Sequence, residues 1–219
     1  MKIIKVIHFL LIVLIFTACS YKYNPKNRDE LIVLLKDNKI QLSQINTSKI
    51  KDMSFLFSNF QDDVCKKEFK NKDLKNCLNS IKDKKTFKGI ENWDMSNVEN
   101  ASFMFAGNIY FNEDIKNWNV SNLKNASSMF YFCSEFNQDI SNWNVSNVTN
   151  MQEMFKGAFK FNQNLSNWNV SNVINMKEMF SYTNFDNDLN SWKISKNVNI
   201  KDMFLYSPLE YKKPIWYKE

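Results

Sequence analysis

Apolar and polar residues alternate along most of this chain in a pattern that repeats every 25 residues. Five tryptophans mark the repeat at successive spacings of 25, 25, 25 and 24 residues: Trp93, Trp118, Trp143, Trp168 and Trp192. An aliphatic residue lies three positions before each tryptophan and an apolar residue two positions after it, as Ile140 and Val145 do around Trp143. A period between about 20 and 50 residues indicates an array of stacked structural units.

The first half of each repeat predicts a short strand. Apolar and polar residues alternate from Asn142 to Val145, so Trp143 is expected to face the interior and its neighbours the solvent. A tryptophan removes a large apolar area from water when it is buried, so we expect a buried tryptophan ladder rather than an exposed row that stacks on sugars.

The second half of each repeat predicts a short helix. Apolar residues recur at spacings of three and four from Val148 to Phe155, with Ser146 placed to cap the helix and Gly157 to end it. The sequence therefore predicts an α/β fold: a right-handed, leucine-rich-repeat-like solenoid of about six turns, with one short strand and one short helix per repeat and with terminal caps.

Six segments follow from this pattern. They are a lipoprotein signal peptide (residues 1–18), a tether (19–26), an N-terminal capping helix (27–41, helical over 28–37 with Asn27 as N-cap), the repeats (42–207), an insertion within them (58–84) and a C-terminal cap (208–219). In the first repeat Ile45 stands in place of the tryptophan, and Trp93 follows it after 48 residues. The insertion accounts for the 23 residues by which this spacing exceeds one period of 25. It either binds a partner or is a solvated hairpin without one.

The first 20 residues, MKIIKVIHFLLIVLIFTACS, predict export. A basic start, an apolar run and a small residue before Cys19 are typical of a secretory signal. The ending FTAC resembles the bacterial lipobox, in which the cysteine becomes the lipid-modified first residue. The alternative is an uncleaved anchor formed by residues 3–18. Either interpretation places the protein in the bacterial cell envelope, attached to a membrane.

Composition narrows the possible chemistry. The formal charge of +6 falls to +4 once Lys2 and Lys5 are removed with the signal, which does not indicate a nucleic-acid partner. The single histidine, His8, lies in the signal, so residues 19–219 contain no histidine to activate a nucleophile or bind a metal. We therefore expect no enzymatic activity, no cofactor and no metal site.

The cysteines have three expected roles. Cys19 is the candidate for lipidation. Cys65 and Cys77 lie in the insertion and, in an exported protein, predict a disulfide, with two free thiols as the alternative. Cys133 falls in the column of small residues after the predicted helix, where a free cysteine behaves as a small buried apolar residue.

The motif W-N/D-V/M-S-N-V-x-N-M-x-x-M-F, followed by F-N-Q-D/N-I/L-S, resembles the BspA-like leucine-rich-repeat surface proteins of bacteria. The resemblance covers residues 42–207, and the segment after it resembles the C-terminal cap of that family. It implies surface exposure and, for some members, adhesion or binding of host proteins. It carries over no catalytic residues.

The residues that flank the tryptophans form the candidate binding face. They are expected to offer a weakly charged strip of amides to a partner: Asn92, Asp94, Asn117, Asn119, Asn142, Asn144, Asn167, Asn169 and Lys193. We expect a surface-exposed lipoprotein that binds a host or envelope protein or a glycan and is held to the membrane by its lipid. The alternative is a structural or assembly lipoprotein that faces the periplasm.

Overall fold

The computed structural model describes residues 21–218. Its helices are α1 (Arg28–Leu35), α2 (Asp62–Glu68) and α3 (Asn71–Leu78), and short 3₁₀ helices span Leu42–Gln44, Ile90–Asn92 and Pro208–Glu210. The rest of this part of the chain consists of turns and coil, with isolated parallel bridges where strands were expected. None of the helices within residues 21–218 has the length and apolar character that crossing a membrane requires.

The predicted α/β leucine-rich-repeat-like solenoid is wrong, because residues 93–204 form neither strands nor helices. Each repeat is a series of tight turns instead. In one of them the Trp143 N–H donates to the Ile140 carbonyl at 3.1 Å, and in another the Met154 N–H donates to the Met151 carbonyl at 3.2 Å. Apolar residues three positions apart mark the two ends of such a turn, which produces the same spacing as a helix.

A left-handed residue interrupts each segment that was predicted to be a helix. Glu153 has a φ of +55°, whereas a right-handed helix needs a φ near −63°. Its N–H donates to the Lys177 carbonyl of the next repeat at 2.9 Å, and the Phe155 N–H donates to Met179 in the same way at 3.0 Å. The same left-handed turn recurs at Phe55, Phe103, Ser128, Glu178 and Asp202. Backbone N–H groups in this segment therefore bond partly within a repeat and partly to the next one.

Successive repeats stack directly on one another. Parallel bridges connect one residue per repeat along the series Asp52, Asn100, Asn125, Asn150, Asn175 and Asn199. The tryptophans add a second row of connections, in which each indole Nε1 donates to a carbonyl of the preceding repeat, as Trp143 does to Ile115 at 3.1 Å. These hydrogen bonds satisfy polar groups that the stacking buries.

The ends of the tryptophan row lie at the two ends of the stack. Trp93 donates to the Leu42 carbonyl at 3.0 Å, and Trp216 donates to the Leu189 carbonyl at 2.6 Å. Trp216 also stacks on Trp192, with ring centroids 6.1 Å apart and planes inclined by 11°. The C-terminal segment thus covers the last repeat with one further residue of the same row.

The interior consists of columns of stacked aromatic rings. The five repeat tryptophans are 3–4% exposed, so the expected buried ladder is confirmed. Phe155 lies between Phe130 and Phe180, with 5.7 Å between ring centroids on each side. Each tryptophan hides some 200 Å² of surface, which stabilises by about 5 kcal/mol at most. Ring stacking and turn hydrogen bonds therefore replace a sheet in holding the repeats together.

The insertion folds into a pair of helices linked by the predicted disulfide. Cys65 in α2 is bonded to Cys77 in α3, and both are buried. The pair is fixed to the rest of the chain, since Asn76 Nδ2 donates to Ser54 Oγ at 2.9 Å. Arg28 of α1 donates to the carbonyls of Ser54 and Asn76 at 3.0 and 3.3 Å. The insertion is therefore packed against the N-terminal helix and the first repeat.

Helix α1 begins as predicted. Asn27 Oδ1 accepts a hydrogen bond from the Glu30 N–H at 3.0 Å, which is an N-cap. The helix ends at Leu35, two residues before the predicted end. The signal segment and the lipidation expected at Cys19 lie outside the described residues, so both remain predictions.

Candidate binding surface

The predicted binding face lies at the surface, but half of it serves the fold. Eight of its nine residues are exposed and Asp94 is half-buried. Asn119, Asn144 and Asn169 each accept a hydrogen bond on Oδ1 from the N–H of the serine two residues later, at 3.1–3.2 Å. Asp94 accepts one from Ser96 at 2.9 Å. These contacts are Asx turns that shape the backbone after each tryptophan, so this column is used by the fold.

The other column of the face is free. The side-chain amides of Asn117, Asn142 and Asn167 make no hydrogen bond within residues 21–218 and are exposed. Asn92 at the start of the column differs, because its amide donates to Glu91 at 3.1 Å. Lys193 directly follows Trp192, so it ends the column of Asp94 and Asn144, and it is exposed. The amides available to a ligand therefore form a row of three, one in each of three consecutive repeats.

Other asparagine columns connect the repeats. Asn147 Nδ2 donates to the Ser121 carbonyl of the preceding repeat at 2.7 Å, and Asn137 Oδ1 accepts from the Asn162 N–H at 2.9 Å. Such bonds saturate backbone groups that turns leave unpaired. Most of the asparagine in this chain is therefore explained by the architecture rather than by binding.

Sequence reasoning missed a set of exposed rings that we call the aromatic strip. It consists of Tyr110, Phe132, Phe159, Tyr182 and Tyr206, whose exposed fractions are 87%, 45%, 57%, 45% and 63%. Three of them, Phe132, Tyr182 and Tyr206, occupy the column of Gly107 and Gly157 and share its positive φ. The sequence feature that indicates these exposed rings is this column, in which glycine and large aromatic residues replace one another in successive repeats. A buried position would not tolerate that change of volume.

Part of the aromatic strip forms a shallow groove. A Cβ added at Gly157 would lie 2.9 Å from Phe132 Cδ1, so the Phe132 ring rests on the glycine backbone. Phe159 and Tyr182 line the same groove. Tyr182 in turn contacts Tyr206, with ring centroids 4.7 Å apart. Flat apolar surfaces of this kind bind apolar side chains or the faces of sugar rings.

Charged side chains beside the groove are already paired. Lys160 Nζ contacts Glu135 Oε2 at 2.5 Å, and Lys156 is paired with Glu178. Burial raises the pKa of Glu178, but hydrogen bonds from Lys156 and Lys177 outweigh it and hold the pKa below its ordinary value. The charges of these side chains are therefore largely neutralised within the pairs.

The free thiol within residues 21–218 lies in the interior. Cys133 is fully buried and its Sγ–H donates to the Phe105 carbonyl at 3.1 Å. Burial raises the pKa of this thiol well above its usual range, so it stays protonated and unreactive. Within residues 21–218, no group of three or more His, Cys, Asp or Glu side chains could hold a metal ion.

The comparison with known families now identifies the chain more closely. The family described as Mycoplasma protein of unknown function, DUF285, matches residues 72–184 and 160–215, which together span more than half of the chain. The chain belongs to this family. DUF285 is a family of bacterial surface repeat proteins, and a place in the bacterial envelope is consistent with it. No curated protein and no solved structure matches the chain.

The family assignment supports the coarser part of the resemblance drawn from the motif and leaves the finer part unconfirmed. DUF285 supports a bacterial surface protein with repeats, but it does not extend to the leucine-rich-repeat subgroup. The turns of residues 93–204 contain neither the strand nor the helix of the expected leucine-rich-repeat unit.

Proposed function

We propose that this protein is a surface-exposed lipoprotein that binds a protein or glycan and catalyses no reaction. The aromatic strip carries the proposal. The phenylalanines and tryptophans of the repeats are otherwise mostly packed in the interior, whereas the strip presents rings to solvent in several successive repeats. Neighbouring exposed apolar groups of this kind mark interaction sites on soluble domains.

The expected affinity of a single contact is modest. Rings that are about half exposed each offer roughly 80–100 Å² for burial, which amounts to about 2 kcal/mol per ring. Three rings would contribute about 6 kcal/mol before the cost of association is subtracted. The free amides of Asn117, Asn142 and Asn167 add hydrogen-bonding groups that could confer selectivity. A repeated site on a membrane-held protein suits adhesion, since many weak contacts act together.

Lipidation of Cys19 is the second part of the proposal. It rests on the basic start, the apolar run and the FTAC ending of the sequence, together with the surface character of the family. Incorporation of radiolabelled palmitate into the expressed full chain would test it. We expect label in the wild type and none in a Cys19→Ser variant; label that persists in the variant would contradict the assignment.

Binding is tested with a matched pair of variants of the full chain. One replaces Phe132, Phe159 and Tyr182 by serine. The control makes the same change to serine at Val33, Tyr211 and Ile215, which are more exposed than those three residues and lie outside the strip. Binding to glycan arrays and to immobilised extracellular-matrix proteins separates the two ligand classes. We expect the strip variant to lose at least about tenfold in affinity, or 1.4 kcal/mol, while the control stays within about twofold. Equal binding by both variants, or no binding by the wild type in either format, would refute the proposal.

A further inference from the structure

A basic groove lies where α1, the first repeat and α3 meet. Six cationic side chains and only two carboxylates, those of Asp29 and Asp52, line it, which leaves a formal charge of +4. The cationic residues are Lys26, Arg28, Lys49, Lys51, Lys72 and Lys75. We call this feature the basic groove.

The basic groove accounts for the charge of the protein beyond the signal. Residues 21–100 contain 16 basic and 12 acidic residues, whereas residues 101–219 contain 11 of each. The groove therefore carries a charge equal to the whole excess of residues 21–219. Within residues 21–100, the attraction for anions is therefore concentrated in the groove.

Some cationic side chains of the groove are not paired with a carboxylate. Lys72 pairs with Asp52 at 2.5 Å and Lys75 with Asp29 at 3.6 Å, which uses both carboxylates of the groove. Lys51 pairs with Glu99, outside the groove, at 3.2 Å. Lys26 and Lys49 are exposed and form no ion pair within residues 21–218.

Arg28 gives the groove a fixed cation. Its side chain is more than nine-tenths buried, and its Nε and Nη2 are held by the Ser54 and Asn76 carbonyls. Nη1 has no hydrogen-bond partner among the described residues and is not fully enclosed. Burial lowers the pKa of Arg28, although nearby Asp52 and Asp29 raise it, and a guanidinium keeps its charge at neutral pH. A rigid guanidinium with a free edge suits a phosphate oxygen.

The basic groove is also the part of the fold closest in sequence to the membrane segment. Lys26 lies only seven positions after Cys19. An extended chain of that length spans at most about 25 Å, so an anchor at residues 3–19 holds the groove within reach of lipid headgroups. The opposite end of the stack also carries positive charge, since residues 193–219 contain six basic and three acidic residues, but it lies far from Cys19 along the chain.

We propose that the basic groove docks on the anionic phospholipid headgroups of the membrane that holds the protein. Docking fixes one end of the stack at the membrane and leaves the later repeats, with the aromatic strip, directed away from it. The proposal uses the membrane anchor proposed above, but the lipid selectivity of the groove is a separate property. Each lysine that approaches an anionic surface contributes about a fivefold increase in binding, and screening by salt removes it.

The test measures lysine accessibility in the reconstituted full chain. The protein is inserted into vesicles of phosphatidylcholine alone or of phosphatidylcholine with phosphatidylglycerol, then treated with an amine-reactive reagent and analysed by peptide mass spectrometry. We expect labelling of Lys26, Lys49 and Lys75 to fall about fivefold on the anionic vesicles and to recover at about 1 M salt. Labelling of Lys193, Lys196 and Lys201 at the other end should not change. Equal labelling of the groove lysines on both vesicle types would overturn the proposal.

Charge-matched variants sharpen the result. On anionic vesicles, the K26Q/K49Q variant should lose the protection of Lys75 from labelling. The K193Q/K196Q variant removes the same amount of charge and should keep that protection. Loss of protection in both variants would mean that only net charge matters, which contradicts a defined groove. Flotation with neutral vesicles at about 1 M salt reports the anchor alone, because electrostatic docking is screened there. If the chain floats with neutral vesicles at high salt but its groove lysines are not protected on anionic vesicles, the result contradicts docking of the groove and leaves the anchor supported.

Discussion

Gly157 provides the sharpest test of the contact that shapes the aromatic strip. Its φ is +71°, and an added Cβ would lie 2.9 Å from Cδ1 and 3.0 Å from Cγ of Phe132. Gly107 occupies the same column with a φ of +78°, but there an added Cβ would be 3.5 Å from its nearest neighbour, in Asn59. The two glycines therefore share the backbone strain and differ in the ring contact.

The expected costs follow from that difference. An alanine in the left-handed region costs about 1–2 kcal/mol, so Gly107→Ala should lose about that much stability. Gly157→Ala should lose about 1 kcal/mol more, because the Phe132 ring must leave its rotamer and its position on the backbone. Phe132, Tyr182 and Tyr206 already occupy this column with φ of 53–57°, which shows that the stack tolerates the strain itself.

The assay is urea unfolding followed by tryptophan fluorescence, with Phe132→Ala as the second background. For a chain of this size, a difference of about 1 kcal/mol moves the thermal midpoint by about 2–4 °C, so calorimetry provides a second measurement. In the Phe132→Ala background, Gly157→Ala should cost no more than Gly107→Ala does. Equal losses for the two glycine variants in the wild type, or an excess that persists without the ring, would refute the reasoning.

Three further predictions concern groups that the fold has fixed. Cys133 should resist a thiol reagent in the native protein and react once the chain is unfolded, because its thiol is buried and its pKa is raised by burial. If Cys133 in the folded protein reacted as fast as an exposed thiol does, this packing would be contradicted. Replacing Cys65 and Cys77 by alanine should cost about 3 kcal/mol and speed hydrogen exchange in residues 62–78, while exchange in residues 120–180 stays unchanged; faster exchange throughout would show that the insertion supports every repeat. The Glu178 carboxyl has a folded pKa below its unfolded value, so its stabilisation is present above about pH 4.3 and is lost as the pH falls through the folded pKa. The wild type should therefore lose thermal stability more steeply below about pH 4.3 than Glu178→Gln, and parallel curves would show that the ion pair contributes nothing.

The sequence predicted which side chains are buried far better than it predicted the backbone. Trp143 and Val145 are buried and Asn142 and Asn144 are exposed, as the alternation indicated. An alternating pattern, however, is also compatible with a tight turn whose corner residues point outward. Spacings of three and four likewise fit both a helix and a series of i to i+3 turns. Periodicity reports the direction of side chains, and it does not report where the backbone N–H groups bond.

The backbone outcome depends on contacts that lie a full repeat away. The Met151 N–H donates to the Asn175 carbonyl at 2.8 Å rather than to a residue of its own turn. A left-handed residue such as Glu153 allows this, and glutamate has no intrinsic preference for that conformation. Local propensity therefore favoured a helix that the hydrogen bonds between repeats override. For the same reason, the alternation around Trp143 does not reveal that Asn144 Oδ1 accepts a hydrogen bond from the Ser146 N–H.

The repeats themselves separate residues that build the stack from residues that are free to serve a function. A column in which every repeat needs the same hydrogen bond must keep the same residue, as Asn122, Asn147 and Asn172 do in contacting the preceding repeat at 2.6–2.8 Å. The column of Gly157 has no such requirement, and its residue changes from glycine to phenylalanine to tyrosine while the backbone stays left-handed. A large ring at an exposed and strained position adds little to the fold, because solvent covers about half of it. Among the surface columns, the variable one that presents Phe132, Tyr182 and Tyr206 is therefore the one on which a binding role is best supported, and the uniform asparagine columns are explained by the stack alone.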